Sequence, residues 1–433
     1  MIGRRASQGG QPEAAGPPLS RARTREAALT RDLRGVALAG GGPLGGIYEI
    51  GALAALDESL KGMDFAGCDI QVGVSSGAFI AAGLANGISP REMHRNFIES
   101  EEADDPFEPD VLLRPALGEY ARRVAGLPGL AAAAAQAWLD QPLSGGLAES
   151  LQRLGGALPV GLLDNQGVGA FLAKMFSTPG RTNDFRALKR KLFIVATDLD
   201  SCVSVAFGSP GWDDVPISTA VQASSALPGL YPPVEIAGRS FVDGALMKTL
   251  HASVALREGA KLLFCINPLV PFDAEAAARR DHKKRISLAE RGLPTVMAQT
   301  FRAIIHSRMR VGMERYARLY PDADVILFEP ARDDAEMFFT NMFSYSDRRR
   351  LCEHAYQRTR EELRRRADEL EPIFRRHGVL LDREVLNDAE RSLSRRKIGA
   401  RRRRRQNALG AATAQLRQTL DALERTIEDA TTD

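Results

Sequence analysis

A serine between two glycines has the spacing of a turn that presents a nucleophile. The segment 71-QVGVSSGAFIAAGLANG-87 contains the pattern G-x-S-x-G at Gly73, Ser75 and Gly77. An apolar run precedes the serine and small residues follow it, which is typical of a strand that turns sharply into a helix. The residues two positions before and after such a serine must be small because the two backbones approach closely. The pattern predicts a serine nucleophile, with a plain tight turn as the alternative.

A glycine cluster earlier in the chain offers backbone amides to a negative charge. The segment 39-AGGGPLGGIYEIGALAAL-56 follows an apolar run and opens a helical pattern. Amides at a helix entrance point outward with the positive end of the helix dipole, so they suit an anion. Gly40, Gly42 and Gly45 also satisfy the dinucleotide fingerprint G-x-G-x-x-G, which leaves nucleotide binding as an alternative. A P-loop is excluded because no G-K-[ST] follows.

A serine hydroxyl needs a base, and an aspartate is the better candidate in this chain. In 240-SFVDGALMKTL-250, Asp243 ends a short apolar strand and Gly244 allows a tight turn that leaves the carboxylate at the sheet edge. None of the six histidines stands in a glycine-bounded turn after a strand, and we expect most of them on the surface or in helices. An ordinary turn remains the alternative interpretation of an isolated Asp-Gly pair.

Continuous apolar runs predict the elements that would position these residues. Strands are predicted at 35–39, 69–74, 192–199, 262–267 and 324–329, with helical stretches between them. Such runs are typical of a mostly parallel sheet that is covered by helices on both faces. Right-handed β-α-β connections place the loops after the first two strands side by side at one sheet edge. A nucleophile would then lie beside outward amides, as in an acyl-transfer site with an oxyanion hole.

Four sequence blocks, taken in order, resemble the patatin-like phospholipases. They are the glycine-rich loop that opens the first helix, the elbow Gly73–Gly77, the block 223-ASSALPGLYPPVEI-236 and the triplet D-G-A at Asp243–Ala245. The resemblance covers about residues 35–270. It implies an α/β fold with three α/β/α layers and a mostly parallel central sheet, followed here by a helical C-terminal extension. It disfavours the dinucleotide interpretation, because that fingerprint predicts neither the elbow nor the D-G-A triplet.

The resemblance also implies roles for individual residues. Ser75 would be the nucleophile and Asp243 its base, in a Ser-Asp dyad without histidine. The backbone amides of Gly40, Gly41 and Gly42 would surround the oxyanion.

One position in the glycine loop departs from the family pattern. The family's loop looks like G-G-G-x-[RK]-G, whereas this chain has Leu44 where the cation would fall, or Gly45 if the register slips by one residue. Backbone donors need no side chain, so an oxyanion hole can still form. The substrate therefore need not be a phospholipid.

The expected function is that of a serine lipid acyl hydrolase, a carboxylic ester hydrolase of the phospholipase A type. It would act on a lipid ester through an acyl-enzyme intermediate, with neither cofactor nor metal. The alternative is a non-catalytic lipid-binding or scaffold protein with the same fold. The presence of both Ser75 and Asp243 argues against that alternative.

Composition places the chain among ordinary globular proteins. Its 433 residues are 44% hydrophobic and 26% charged. No run approaches the roughly 20 apolar residues that span a bilayer, and residues 1–34 lack the apolar middle of a signal peptide. We expect a cytoplasmic protein, with peripheral binding at the inner membrane face left open. Four widely spaced cysteines without a C-x-x-C pair indicate neither a disulfide framework nor a zinc site.

Changes in composition divide the chain into four expected segments. Residues 1–34 form a basic arm that is expected to be disordered, and residues 35–345 form the patatin-like α/β hydrolase domain. A charged helical extension follows at 346–390, and a basic run with an amphipathic helix follows at 391–433. Segments 105–180 and 271–320 are candidates for lids or for a lipid-facing cap, because they are too long for simple connections.

The last segment suggests two kinds of partner. Residues 391–405 contain nine basic residues and no acidic one. They predict binding to an anionic membrane surface, with a solvated extension as the alternative. Leucine and isoleucine at heptad spacing indicate self-association through 409–427, or packing on the core. Nucleic acid could satisfy the same charges, but no specific nucleic acid is expected.

Overall fold

The computed structural model describes residues 32–99, 114–116, 120, 125, 160–282, 285–340 and 347–393. The basic arm as far as residue 31 lies outside the described residues. So do most of the segment 105–180 and the whole tail after residue 393, including 409–427.

A mixed sheet forms the centre of the described part. The strands are β1 (Leu33–Leu38), β2 (Leu60–Lys61), β3 (Ile70–Gly73), β4 (Lys191–Asp198), β5 (Val203–Phe207), β6 (Val234–Ile236), β7 (Arg239–Asp243), β8 (Ala260–Ile266), β9 (Asp324–Phe328) and β10 (Leu380–Leu381). The order across the sheet is β6-β7-β4-β3-β1-β8-β9, and β5 also pairs with β4. The central strands β4, β3, β1, β8 and β9 run parallel, whereas β5, β6 and β7 add antiparallel pairs. Strands β2 and β10 form a separate antiparallel pair.

The five strands predicted from apolar runs are confirmed as β1, β3, β4, β8 and β9, with bounds that differ by two residues at most. Most of their residues are buried because helices cover both faces of the sheet, although three of the five residues of the edge strand β9 are only partly buried.

Helices flank the sheet on both sides. They are α1 (Gly42–Ser59), α2 (Ser76–Ala85), α3 (Pro90–Met93), α4 (Gln166–Phe176), α5 (Ile217–Ser224), α6 (Ala252–Arg257), α7 (Ala274–Asp281), α8 (Leu293–Leu319), α9 (Ala335–Phe339), α10 (Arg348–Arg365), α11 (Ala367–Arg376) and α12 (Arg383–Asn387). A π-helical turn follows α3 at His94–Glu99, and 3-10 turns lie at Phe185–Ala187, Gly244–Leu246 and Ala289–Arg291. No helix in these ranges combines the length and apolarity that crossing a bilayer requires.

Alternate residues of β1 show that the fold has three layers. Val36 and Leu38 face a cluster built with helices α1, α2, α4, α5 and α10. Ala37 and Ala39 face a second cluster on the other side, built with α6 and part of α8. The predicted three-layer α/β/α fold with a mostly parallel sheet is confirmed, and helices follow it toward the C-terminus.

The C-terminal helices pack directly on α1, the helix that the glycine loop opens. A Cβ atom at Gly51 would collide with the Cys352 carbonyl oxygen and would lie 2.9 Å from the Ala355 Cβ. The Tyr356 hydroxyl donates a 2.8 Å hydrogen bond to Glu58 near the end of α1. Helix α10 therefore fits against α1 only because residue 51 has no side chain.

Candidate active site

Ser75 lies on a sharp turn between β3 and α2, as the G-x-S-x-G pattern predicts. Its backbone has φ 54° and ψ −121°, a conformation that is strained for any residue other than glycine. A Cβ at Gly73 would collide with the Gly77 carbonyl and with the backbone of Ala78, and a Cβ at Gly77 would lie 2.5 Å from the Leu38 carbonyl oxygen. Both glycines are therefore required by the close approach of the strands and the helix.

A side chain far along the sequence holds this turn. The Ser75 amide donates a 2.8 Å hydrogen bond to the Ser224 hydroxyl, and that hydroxyl donates in turn to the Val195 carbonyl at 2.6 Å. Ser224 is fully buried at the end of α5. Sequence reasoning gave it no role, although it belongs to the block 223-ASSALPGLYPPVEI-236 that contributed to the family resemblance.

Asp243 ends β7 beside Ser75. Its amide donates to the Ala226 carbonyl at 3.0 Å, and its Oδ1 accepts the Ala245 amide at 2.8 Å. A Cβ at Gly244 would collide with the Val195 carbonyl oxygen, so only glycine allows the chain to turn here. Burial raises the pKa of Asp243 to about 6, while hydrogen bonds from the Ser75 side chain and the Ala245 amide act to lower it. The structure thus brings the two predicted dyad residues together.

A buried histidine supports the turn that carries Asp243. The ring Nε2 of His251 lies 3.3 Å from the Gly244 carbonyl oxygen. The residue precedes α6 in a left-handed conformation with φ 47°. Burial lowers the pKa of His251 to about 4, so the ring is neutral near pH 7. Sequence reasoning set His251 aside with the other histidines, because nothing local to it predicts this long-range contact.

The glycine loop lies against Ser75, as the parallel pairing of β1 with β3 predicts. A Cβ at Gly40 would lie 3.1 Å from the Ser75 Cβ. The Gly40 amide donates a long bond of 3.4 Å to the Thr249 carbonyl. Gly41 precedes α1 without a side-chain cap, and Gly42 begins the helix with φ 62°. The first amides of a helix have no acceptor within it, so those of Gly41 and Gly42 are the better oxyanion donors of the three.

The loop position where the family has a cation is apolar and enclosed. Leu44 is 6% exposed and belongs to the core cluster on the α1 face of the sheet. At the alternative position, a Cβ on Gly45 would lie 3.0 Å from the Pro268 ring and 3.1 Å from the Ser76 hydroxyl. Neither position has space for an arginine or lysine unless its neighbours move.

Helix α1 carries a buried carboxyl group that sequence reasoning missed. Glu49 is fully buried, and among the described residues neither carboxylate oxygen has a hydrogen bond of good geometry. Burial raises the pKa of Glu49 well above its usual range, and the Ala39 backbone offsets this effect only in part. Burial therefore disfavours the charged form of Glu49 behind the glycine loop. In the same described ranges, no three His, Cys, Asp or Glu side chains converge as metal ligands would.

Comparison with known proteins yields one family match. A family model described as patatin-like phospholipase matches residues 36–256. No curated protein matches the sequence significantly.

Several solved structures are similar to parts of the chain. VipD from Legionella pneumophila is 14% identical, with a TM-score of 0.33, and the match covers 75% of this chain and 67% of VipD. The type III effector ExoU is 16% identical, with a TM-score of 0.34, and the match covers 78% of this chain and 53% of ExoU. A chain in the complex of full-length SpcU with full-length ExoU from Pseudomonas aeruginosa is 19% identical, with a TM-score of 0.22. This match covers 45% of the present chain and 38% of the chain in the complex. This chain thus spans about half the length of ExoU.

Proposed function

Because this chain belongs to the patatin-like phospholipase family, we propose that it is a serine lipid acyl hydrolase in which Ser75 and Asp243 form the catalytic dyad. The observation that carries the proposal is that the Ser75 side chain lies close enough to the buried Asp243 carboxylate to lower the pKa of that group, next to the helix entrance at Gly41 and Gly42. These groups together supply a nucleophile, a base and oxyanion donors.

The first half of the reaction transfers the acyl group to the enzyme. The Ser75 Oγ attacks the ester carbonyl carbon while Asp243 accepts its proton. The amides of Gly41 and Gly42 donate to the oxyanion of the tetrahedral intermediate. The carbon–oxygen bond to the alcohol then breaks, and the alcohol leaves with the proton that Asp243 had taken. Ser75 remains as the acyl ester.

The second half releases the fatty acid. A water molecule attacks the acyl carbon while Asp243 accepts its proton, and the same amides stabilise the second oxyanion. The bond to the Ser75 Oγ breaks, and the oxygen regains the proton from Asp243. This cycle needs an ionised aspartate that is basic enough to take a proton, and burial moves the pKa of Asp243 toward neutrality for this purpose.

The surrounding contacts keep the dyad in place. Ser224 fixes the strained backbone of Ser75, and the Ala245 amide fixes one carboxylate oxygen of Asp243. Since Leu44 is apolar and buried, the glycine loop supplies no cation for a phosphate group. The proposed substrate class is therefore the carboxyl ester of a lipid, with the head group selected by residues outside this loop.

Active-site labelling tests the proposal. We expect a fluorophosphonate probe to label the full-length protein, and we expect the protein to hydrolyse a short-chain nitrophenyl ester. Both signals should disappear in Ser75→Ala and persist in the matched neighbour Ser76→Ala. Equal labelling and equal hydrolysis in wild type and Ser75→Ala would refute the proposed nucleophile. A chain that binds lipid vesicles but neither reacts with the probe nor hydrolyses esters would instead be a lipid-binding scaffold.

A further inference from the structure

Helix α8 presents large apolar side chains to solvent. Seven of the fifteen large apolar residues that are exposed in the described part of the chain lie on this one helix. They are Leu293, Val296, Met297, Phe301, Ile304, Val311 and Leu319, with exposed fractions from 40% to 72%. Such a concentration on one element is unusual for a surface that faces only water.

These seven residues form one stripe, which we call the α8 face. With 3.6 residues per turn they fall within an arc of about 140°. The buried residues of the helix, His306 and Met309, lie on the opposite side. The helix therefore has two apolar sides, of which one packs on the protein body and the other is uncovered.

Specific contacts fix the inner side of α8 to the body. The Gln299 side chain accepts the Phe272 amide at 3.0 Å and donates to the Phe272 carbonyl at 2.8 Å. Near the other end of the helix, Tyr316 lies beside Ser253 and packs on the second core cluster. The orientation of the helix is set by these contacts, so the outward direction of the α8 face follows from them.

Arginines are interspersed along the α8 face. Arg308, Arg315 and Arg318 are exposed and lie within the same arc. The only acidic residue among the 27 of the helix is Glu314, against five arginines. An apolar stripe with cations among it is the composition of helices that lie in the interface of an anionic membrane.

A basic cavity adjoins the α8 face. It has a volume of about 380 Å³ and lies between α8 and the segment that follows Asp243. Its charged lining consists of Lys248, Arg257, Arg308 and Arg315, and no acidic residue lines it. Methionine, leucine and tyrosine side chains form much of the remaining wall. The cavity thus suits a phosphate group that remains attached to an apolar molecule.

The α8 face lies close to the candidate active site. The Arg308 guanidinium donates to the Leu246 carbonyl at 3.4 Å, and Leu246 follows Asp243 by three residues. Leu246 is itself 38% exposed. A second exposed leucine also lies near Asp243: Leu227 is 39% exposed and follows Ala226, whose carbonyl accepts a hydrogen bond from the Asp243 amide. Exposed apolar residues therefore lie both on the helix and on segments next to Asp243.

We propose that the α8 face docks on an anionic lipid bilayer, with its apolar side chains among the acyl chains and its arginines on lipid phosphates. A lipid head-group phosphate occupies the adjoining basic cavity. The proposal rests on the proposed function, because docking through this face places Ser75 at its lipid substrate. A second copy of the chain is a poorer occupant, since it would bring the same three arginines of the α8 face and only one acid on this helix.

Vesicle sedimentation with the full-length protein tests the apolar part of the proposal. Phe301→Gln combined with Ile304→Gln removes two side chains that are each 51% exposed. Val203→Gln combined with Leu380→Gln is the matched control, because each of those residues is 55% exposed on another element. We expect the α8 variant to bind phosphatidylcholine–phosphatidylserine vesicles about tenfold more weakly and the control to bind like wild type.

The charged part is tested with Arg308→Gln combined with Arg315→Gln. The control is Arg364→Gln combined with Arg365→Gln, two exposed arginines at the end of α10. We expect the α8 variant to lose roughly tenfold in binding to vesicles that contain phosphatidylserine, with little change on phosphatidylcholine alone. This loss of vesicle binding should become smaller as the salt concentration is raised.

Three results would overturn the docking proposal. The first is that wild type does not bind anionic vesicles, and the second is that the α8 variants bind as well as their controls. The third is that wild type sediments as a dimer whereas the α8 variants sediment as monomers. The last result would assign the face to a second copy.

Failure of the proposed function can be told apart from failure of docking. We expect the variant with Phe301→Gln and Ile304→Gln to hydrolyse a soluble nitrophenyl ester at the wild-type rate but to hydrolyse vesicle lipid more slowly. Ser75→Ala should bind vesicles like wild type without hydrolysis. If binding depends on α8 but no ester is cleaved by wild type, docking stands and the proposed function fails. If esters are cleaved while the α8 variants bind normally, docking alone fails.

Discussion

The Ser75 amide donates a 2.8 Å hydrogen bond to the hydroxyl of Ser224, a residue 149 positions away. The bond satisfies a buried amide at a residue whose backbone is held in a strained conformation with φ 54°. Such strain costs on the order of 1–3 kcal/mol and persists only when the surroundings hold it in place.

Replacing Ser224 should therefore slow catalysis, although Ser224 is not one of the reacting groups. We expect Ser224→Ala to lower kcat roughly tenfold with a smaller change in KM, because the Ser75 hydroxyl is no longer held in position. The buried amide also loses its acceptor, which should lower the free energy of unfolding by about 1–3 kcal/mol. Steady-state kinetics and urea unfolding measure both effects.

Ser225→Ala is the control for this prediction, because Ser225 directly follows the same helix and the Ser75 amide donates to the Ser224 hydroxyl instead. If Ser224→Ala and Ser225→Ala have the same kcat as wild type, Ser224 does not position the nucleophile.

The activity should depend on the ionisation of Asp243. Burial raises the pKa of this carboxyl to about 6, and only the carboxylate can accept the serine proton. We expect kcat/KM for an uncharged ester to rise with pH through about 6 and to level off above about 7. Asp243→Asn should remove nearly all activity at every pH. A flat profile between about pH 5 and 7 in wild type would exclude Asp243 as the base.

The same shift in pKa has the opposite effect on stability. The unfolded chain ionises Asp243 near its ordinary pKa of 3.8, whereas the folded chain ionises it near 6. The unfolded state therefore releases this proton first, and the contribution of Asp243 to stability falls as the pH rises from about 4 to about 6. We expect Asp243→Asn to be more stable than wild type above about pH 6, by up to about 3 kcal/mol, and to lose that advantage near pH 4. Thermal unfolding at the two pH values measures this difference.

The elbow glycines should not tolerate even one added methyl group. A Cβ at Gly77 would lie 2.5 Å from the Leu38 carbonyl oxygen, which is backbone and cannot rotate away. We expect Gly77→Ala to lose fluorophosphonate labelling and at least about 2 kcal/mol of unfolding free energy. Gly46→Ala is the matched control, since its Cβ would meet only the Ser76 Cβ at 3.6 Å and alanine favours a helix. Equal loss in both variants would contradict this steric argument.

Restoring the family's cation at the glycine loop should fail. Leu44 is 6% exposed within the core, so Leu44→Arg would bury a charge without a partner. We expect this variant to lose several kcal/mol of stability and to gain no activity on phospholipids over other lipid esters. Leu44→Met keeps the volume and should cost less than about 1.5 kcal/mol. A stable Leu44→Arg protein with improved phospholipid hydrolysis would show that the loop can accept the cation.

Removing the basic tail separates its role from that of α8. The cut belongs after Leu393, because Arg391 donates a 2.6 Å hydrogen bond to Glu58 and the preceding segment packs on α10. We expect the shortened protein to bind anionic vesicles more weakly than the full chain, yet still to lose binding when Phe301 and Ile304 are replaced. Complete loss of vesicle binding on shortening would make the tail, rather than α8, the membrane contact.

The sequence predicts those parts of the fold that depend on local patterns. Strands such as β1 and β8 are recognisable because burial between two helical layers leaves mainly apolar residues in them. The elbow is recognisable because only glycine fits at positions 73 and 77. The apposition of the glycine loop with Ser75 follows from the parallel pairing of neighbouring strands.

Contacts between distant residues could not be predicted in the same way. Ser224 supports Ser75 through a side-chain hydrogen bond that leaves no periodic signal, and the buried position of His251 follows from the packing of α6. The length of the segment 271–320 makes it a candidate lid or cap, but periodicity alone cannot tell an inward side of its helix from an outward one. The membrane contact of residues 391–405 and self-association through 409–427 stay predictions, because both segments lie outside the described residues.

The packing of α10 against Gly51 has a consequence for the order of events during synthesis. Helix α1 and its glycine loop emerge from the ribosome early. Helix α10, which covers α1, and strand β10, which pairs with β2, are synthesised some three hundred residues later. Closing contacts over such a separation is slow, and until then one side of α1 is uncovered. We expect nascent chains that stop before α10 to contain Ser75 without a firmly held glycine loop. A ribosome-bound intermediate would then lack lipid hydrolase activity until α10 and β10 had been translated.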